Sequence, residues 1–166
     1  MKKSILILFL LLGATSFAQE ENLSFGERVA VYKAEAKKAL RPFHYDNLKA
    51  SYYLVNGSAQ RKSVEVYLFG LSEYKFSFNA KGANSNVTVK FYDKPKNDRS
   101  RVLISEKKNV SGKEFSVMSS DLNTQYLAKE ELAKPLKRVF VEYHIPADEA
   151  VTESSTGAMI LVMGYQ

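Results

Sequence analysis

The 166-residue chain has no cysteine and no tryptophan. Without cysteine it can form no disulfide, and it is not a thiol enzyme, a thiol–disulfide oxidoreductase or a Cys-ligated zinc protein. It has two histidines, His44 and His144. Neither has a second histidine at i+2 or i+4, so no local histidine pair offers itself to a metal. A nucleophilic Ser elbow of the form Gly-x-Ser-x-Gly is missing, and so is a Gly-rich phosphate loop. The acids Glu142, Asp148, Glu149 and Glu153 match no calcium-loop spacing, and their run holds no glycine. No catalytic residue, cofactor or metal is therefore expected. No apolar run reaches the ~20 residues of a spanning helix.

The first residues read MKKSILILFLLLGATSFAQ. Lys2 and Lys3 give a positive start, Ile5–Leu12 is an unbroken apolar run, and Ser16-Phe17-Ala18 offers small residues to a signal peptidase. This is the pattern of a secretory signal peptide over 1–18, with the mature chain beginning at Gln19. The expected location is periplasmic or extracellular. Residues 19–166 suffice for one domain with a packed core and no covalent staple.

The formal charge is +6. Two of those charges lie in the signal, so the mature excess is +4. Lys90–Lys113 alone holds eight basic and three acidic residues. For an exported protein such a segment points to anionic envelope polymers, glycans or envelope proteins rather than nucleic acid. Lys94, Lys96, Arg99 and Arg101 are the candidate contacts with an anionic surface. The bland alternative is lysines that keep edge strands apart and the protein soluble.

Patterning places one helix and about eight short strands. The helix spans residues 23–40, with Phe25, Val29, Tyr32, Ala36 and Leu40 as its apolar stripe, Ser24 and Glu27 as a capping box, and Pro42 as its stop. Alternating or apolar runs follow at 49–55, 62–69, 73–79, 86–92, 101–105, 114–118, 136–145 and 158–165. Turn signals fall roughly every ten residues, as in a sandwich or barrel. The expected fold is mainly β: an antiparallel, jelly-roll-like β-sandwich with one N-terminal amphipathic helix. Residues 119–134 are polar and partly helical around Glu130, and 147–156 read as an acidic, Ser/Thr-rich loop.

The row Tyr74, Phe76, Phe78 alternates with Lys75, Ser77, Asn79, which is the signature of a half-buried strand. Phenylalanine lacks a polar tip, so the row is read as core rather than as a sugar platform. Tyr53, Tyr67 and Tyr92 fall out of phase with the apolar sets of their strands and are the candidates for exposed aromatic contact. His44 lies near Asp46 and reads as a loop histidine. His144 shares the polar face of its strand with Glu142, solvated or paired across strands.

The signal ending Ser16-Phe17-Ala18-Gln19, the segments Leu40–Asp46, Val64–Gly70 and Glu73–Phe76, and the closing Leu161-Val162-Met163-Gly164-Tyr165 resemble small exported β-sandwich proteins of Gram-negative bacteria. The succession of an apolar strand, Tyr-Lys-Phe and Val-x-Val-x-Phe-Tyr-Asp is similar to the bacterial pre-peptidase C-terminal domain, a non-catalytic jelly-roll-like module. The resemblance implies a non-enzymatic binding or interaction protein. A small glycan or cell-wall hydrolase and a purely structural envelope protein are the alternatives.

Overall fold

A computed structural model describes residues 23–69, 72–130, 134–148 and 155–166. The expected signal peptide, 1–18, and most of the expected 147–156 loop lie outside the described residues. The chain divides between Val31 and Tyr32 into two units.

Helix α1, Phe25–Lys38, begins in the first unit. Its capping box is formed: the Ser24 amide donates to Glu27 Oε2 at 2.8 Å, and the Glu27 amide donates to Ser24 Oγ at 3.4 Å. The Ser24 hydroxyl, which donates to Glu27 Oε2 at 2.6 Å, and the Ser24 amide hold the Glu27 carboxyl below its usual range.

The second unit holds the rest of α1 and eight strands: β1 His44–Val55, β2 Gln60–Tyr67, β3 Tyr74–Asn79, β4 Thr88–Tyr92, β5 Leu103–Lys107, β6 Glu114–Met118, β7 Arg138–Ile145 and β8 Ser155–Tyr165. A second helix, α2, spans Ser119–Leu127 and ends before Glu130. Sheet A has the order β1-β8-β3-β6 and sheet B the order β2-β7-β4-β5. Every pairing is antiparallel. The pairs β1·β8, β2·β7, β3·β6 and β4·β5 are the rungs of one long two-stranded ribbon. β3·β8 and β4·β7 close that ribbon into two sheets. This is a jelly roll.

Between the sheets lie Phe76, Phe78, Val89, Phe91, Val139, Val141, Met159 and Leu161, none more than 1% exposed. Phe78 stacks on Phe115 at 4.6 Å and meets Phe91 edge-on at 5.9 Å. The aromatic row is core, as its alternation required.

Ser77 and Asn79, the polar half of that row, are 1% and 0% exposed. The expectation of a wetted outer face fails because the part of α1 beyond Val31 lies on it. Tyr32, Ala36 and Leu40 are buried there. Asn79 Nδ2 donates to Glu35 Oε2 at 2.8 Å and to Glu114 Oε1 at 3.1 Å. Lys81 Nζ bridges the same carboxylates at 2.9 and 2.8 Å, which meets the demand that buried polar groups be paired. Burial works to raise the Glu35 carboxyl, but the hydrogen bonds from Lys81 and Asn79 outweigh it and hold it low. β8 is therefore covered on both faces, and Ala158–Val162 are all 0% exposed. That accounts for its unbroken apolar sequence. At Gly164 an added Cβ would come within 2.5 Å of the His44 carbonyl oxygen, so glycine lets β1 and Leu40 close on β8.

α2 packs on β3, β5 and β6. Its Leu122 is fully buried. Among the described residues no helix is long and apolar enough to cross a membrane.

Candidate functional site: a basic cleft beside a buried carboxylate

Alternation puts Val139, Val141, Tyr143 and Ile145 of β7 into the core and Arg138, Phe140, Glu142 and His144 on the outer face of sheet B. Register then fixes their neighbours. Arg61 of β2 and Thr88 of β4 stand opposite His144, while Ser63 and Lys90 stand opposite Glu142.

Glu142 is fully buried although it lies on that outer face, so the reading of it as a solvated acid is corrected. Arg101, reaching over from the β4–β5 turn, supplies the cover. Its Nη1 donates to Glu142 Oε1 at 2.6 Å. Its guanidinium also sits 4.0 Å over the Tyr92 ring. Glu142 Oε2 meets His144 Nε2 at 3.0 Å and Arg61 Nε at 4.0 Å. Both carboxylate oxygens are thus engaged. A charge removed from water needs this much compensation. Burial, helped by the positive charges of Arg61 and Lys90 and opposed by Glu142, pushes the His144 imidazole below its ordinary 6.5. It is therefore neutral at pH 7.

Beside this cluster opens a cleft of about 570 Å³ at the end of β7. Arg61, Lys96 and His144 line it, with Gln60, Asn86 and Thr88 as further polar groups and Ala59, Ile145 and Pro146 as the apolar wall. No carboxylate is among these lining residues. Arg61 is half-exposed and its guanidinium is only loosely held by Glu142. The cleft therefore presents two cations, a neutral imidazole and several neutral hydrogen-bonding groups.

The four cations expected to act together play separate parts. Lys96 is on the cleft wall, and Arg99 is exposed. Lys94 Nζ is tied to the Ser100 hydroxyl at 2.8 Å and its carbonyl at 3.2 Å. Arg101 is bound to Glu142 and serves the fold.

The three tyrosines are not brought together either. Tyr53 is 3% exposed and points inward, its ring lying over Gly157, which faces it across β1·β8. Burial pushes its hydroxyl up to about 12, with the Ser85 side chain opposing. Tyr92 is 8% exposed because Arg101 covers it. Their assignment as exposed contacts is corrected for these two. Tyr67 is 51% exposed at the edge of sheet B, and its ring stacks on Phe69 at 6.3 Å. His44 stands on β1 in the other sheet, near Tyr165, and takes no part in the Glu142 cluster.

The sequence reading missed Arg61, and it did not see that Glu142, His144 and Arg101 converge. The signal was present only as polar residues two apart in 142–144. Their partners on β2 and β4 lie about 80 and 55 residues earlier, and only the register reveals them. No protein-family model and no curated protein matches the chain.

Proposed function

We propose that the protein is an exported, non-enzymatic binding protein of the bacterial envelope, and that the cleft walled by Arg61, Lys96 and His144 takes an anionic ligand. The observation that carries this reading is a cleft with two cations and no carboxylate among its described lining residues, beside a buried acid, Glu142, that is already paired. Charged and neutral donors side by side suit an anionic group borne on a hydroxylated ligand, such as an acidic sugar. Export rests on the signal-like start. Kinship with the small exported sandwich proteins and the pre-peptidase C-terminal domain is part of the same proposal, and the eight-strand jelly roll is compatible with it.

The test is retention on an acidic polysaccharide and on its neutral counterpart, at low and high salt. The comparison is between the native protein and Arg61→Gln/Lys96→Gln. Binding should be confined to the acidic polymer, weaken with salt as charges are screened over about 8 Å at physiological strength, and drop in the variant. Equal elution of the two proteins would refute the reading. Arg101 is left intact here, because replacing it would disturb the fold as well as the charge.

A second reading, a small glycan or cell-wall hydrolase, is favoured by the His144–Glu142 contact at the edge of a cleft, an arrangement able to support general-base chemistry. Among the described lining residues it has no free carboxylate to protonate a leaving group, and both Glu142 oxygens are engaged. Release of reducing sugar that His144→Gln abolishes would establish it.

A further inference from the structure

We propose that the ligand is an extended acidic polysaccharide, and that one chain is gripped at two basic clefts lying at opposite ends of β7. This rests on the reading of the first cleft given above. A second cleft, of about 230 Å³, opens at the start of β7. Lys94, Lys134, Lys137 and Arg138 line it. Its one acid among the described residues, Asp93, has a side chain only 3% exposed. The Asp93 carboxylate is spent on the Val102 amide at 2.6 Å and the Tyr126 hydroxyl at 3.3 Å. Burial and the Asp93 charge together raise the Tyr126 hydroxyl, which keeps it a neutral donor. Arg138 meets Glu65 at 3.3 Å, but both side chains are well exposed. Such a surface pair is weak and yields readily to a competing anion.

The two clefts belong to one surface. Arg138 lines the second and His144 the first, six residues apart on a single strand. At about 3.3 Å per residue the separation is ~20 Å. The β4–β5 turn joins them, since Lys94 lines one and Lys96 the other. A small anion can occupy only one end. A chain with acidic groups at intervals can occupy both, and the second contact then forms intramolecularly.

The surface also discriminates among polyanions. Single-stranded nucleic acid is held by bases stacked on exposed aromatic rings. Tyr67, opposite Arg138 at the edge of the sheet, is exposed but already stacked on Phe69, and the two aromatic residues between the clefts, Tyr92 and Phe140, are 8% and 5% exposed. Arg101 and Arg138 lie over their rings. Gln60, Asn86 and Thr88 instead offer amide and hydroxyl partners to a hydroxyl-rich chain.

The experiment titrates the protein with oligogalacturonates of graded length at low salt. It is run on the native chain, on Lys96→Gln, and on Lys134→Gln/Lys137→Gln, with thermal melts to verify folding. Native affinity should jump by about a hundredfold or more once the oligomer exceeds the ~20 Å span, because linkage of two sites typically yields 10²–10⁴. Lys134→Gln/Lys137→Gln should lose that jump and keep its affinity for short oligomers. Lys96→Gln should weaken short and long oligomers alike. A smooth rise with length, or equal losses for short and long oligomers in Lys134→Gln/Lys137→Gln, would overturn the two-cleft inference and leave the first cleft standing. No binding of any oligomer would remove both. Capture of DNA or of anionic lipid vesicles without capture of the oligosaccharides would overturn the assignment to polysaccharide.

Discussion

Replacing Arg101 with methionine probes the feature on which the outer face of sheet B depends. Methionine keeps an unbranched apolar stem over Tyr92 and deletes the charge. Glu142 would then remain fully buried, with His144 at 3.0 Å and Arg61 at 4.0 Å as its remaining partners. Removing one partner of a buried ion pair costs about 3–5 kcal/mol, since the other charge is stranded. The residual contacts argue for the lower end, ~3 kcal/mol, and the lost stacking on Tyr92 adds about 0.5–1 kcal/mol. Glu142→Gln should cost less, about 1–2 kcal/mol, because the Arg101 side chain is 19% exposed and can turn toward water. Arg101→Met/Glu142→Leu should lie within about 1 kcal/mol of the native protein, as apolar replacement of a buried pair is often near neutral. Urea unfolding followed by far-ultraviolet circular dichroism gives all four stabilities. If Arg101→Met costs less than ~0.5 kcal/mol, the ordinary range for surface substitutions, then Arg101 does not cover Glu142 and the reasoning fails.

Other substitutions test the core and the titration of the site. Phe78→Ala should cost about 3–5 kcal/mol, as deletions of buried aromatic rings do, and a near-neutral result would mean that the aromatic row is not core. Tyr143 is fully buried, and its hydroxyl has no hydrogen-bond partner in the core. Tyr143→Phe should therefore leave stability unchanged or raise it by up to ~2 kcal/mol, whereas a clear loss would show that the hydroxyl has a partner. His144 titrates below 6.5 in the folded chain, so the unfolded chain takes up its proton first as the pH falls. Its contribution is intact above about pH 6.5 and is lost as the pH falls toward the lower folded-state value. His144→Gln should flatten that part of the stability–pH curve, and an unchanged slope would contradict the assignment.

Legibility in the sequence followed locality. The capping box, the core side of the aromatic row and the apolar run of β8 could all be read, because each is written in neighbouring residues. Turn signals were harder to interpret. Asn56-Gly57-Ser58 does reverse the chain, with the Ser58 amide donating to Asn56 Oδ1 at 3.0 Å, yet β1 and β2 lie in different sheets. Ser111-Gly112 likewise separates β5 of one sheet from β6 of the other. A turn signal marks a change of direction and says nothing about the pairing partner. Among the strands, only β4 and β5 are consecutive and paired. β1 begins at His44, five residues before the predicted strand, because His44–Leu48 lacks alternation and is drawn into the sheet by its register with Tyr165–Val162. Tyr53 misled for a related reason. The residue it covers, Gly157, is far away in sequence, and the pairing of a large ring with a glycine is visible only once β1 and β8 are aligned. The site was the least legible part. Its residues come from β2, β4, β7 and the β4–β5 turn, and a buried carboxylate on an outer face cannot be recognised until the arginine that covers it is placed.

The measurement closest to the central claim is a map of amide chemical-shift changes as the protein is titrated with an acidic oligosaccharide. With the ligand in the cleft at the end of β7, the largest shifts fall on Gln60, Arg61, Thr88, Lys96 and His144. Shifts concentrated instead at the β1–β2 edge, around the exposed Tyr52, Leu54, Tyr67 and Phe69, would contradict that claim.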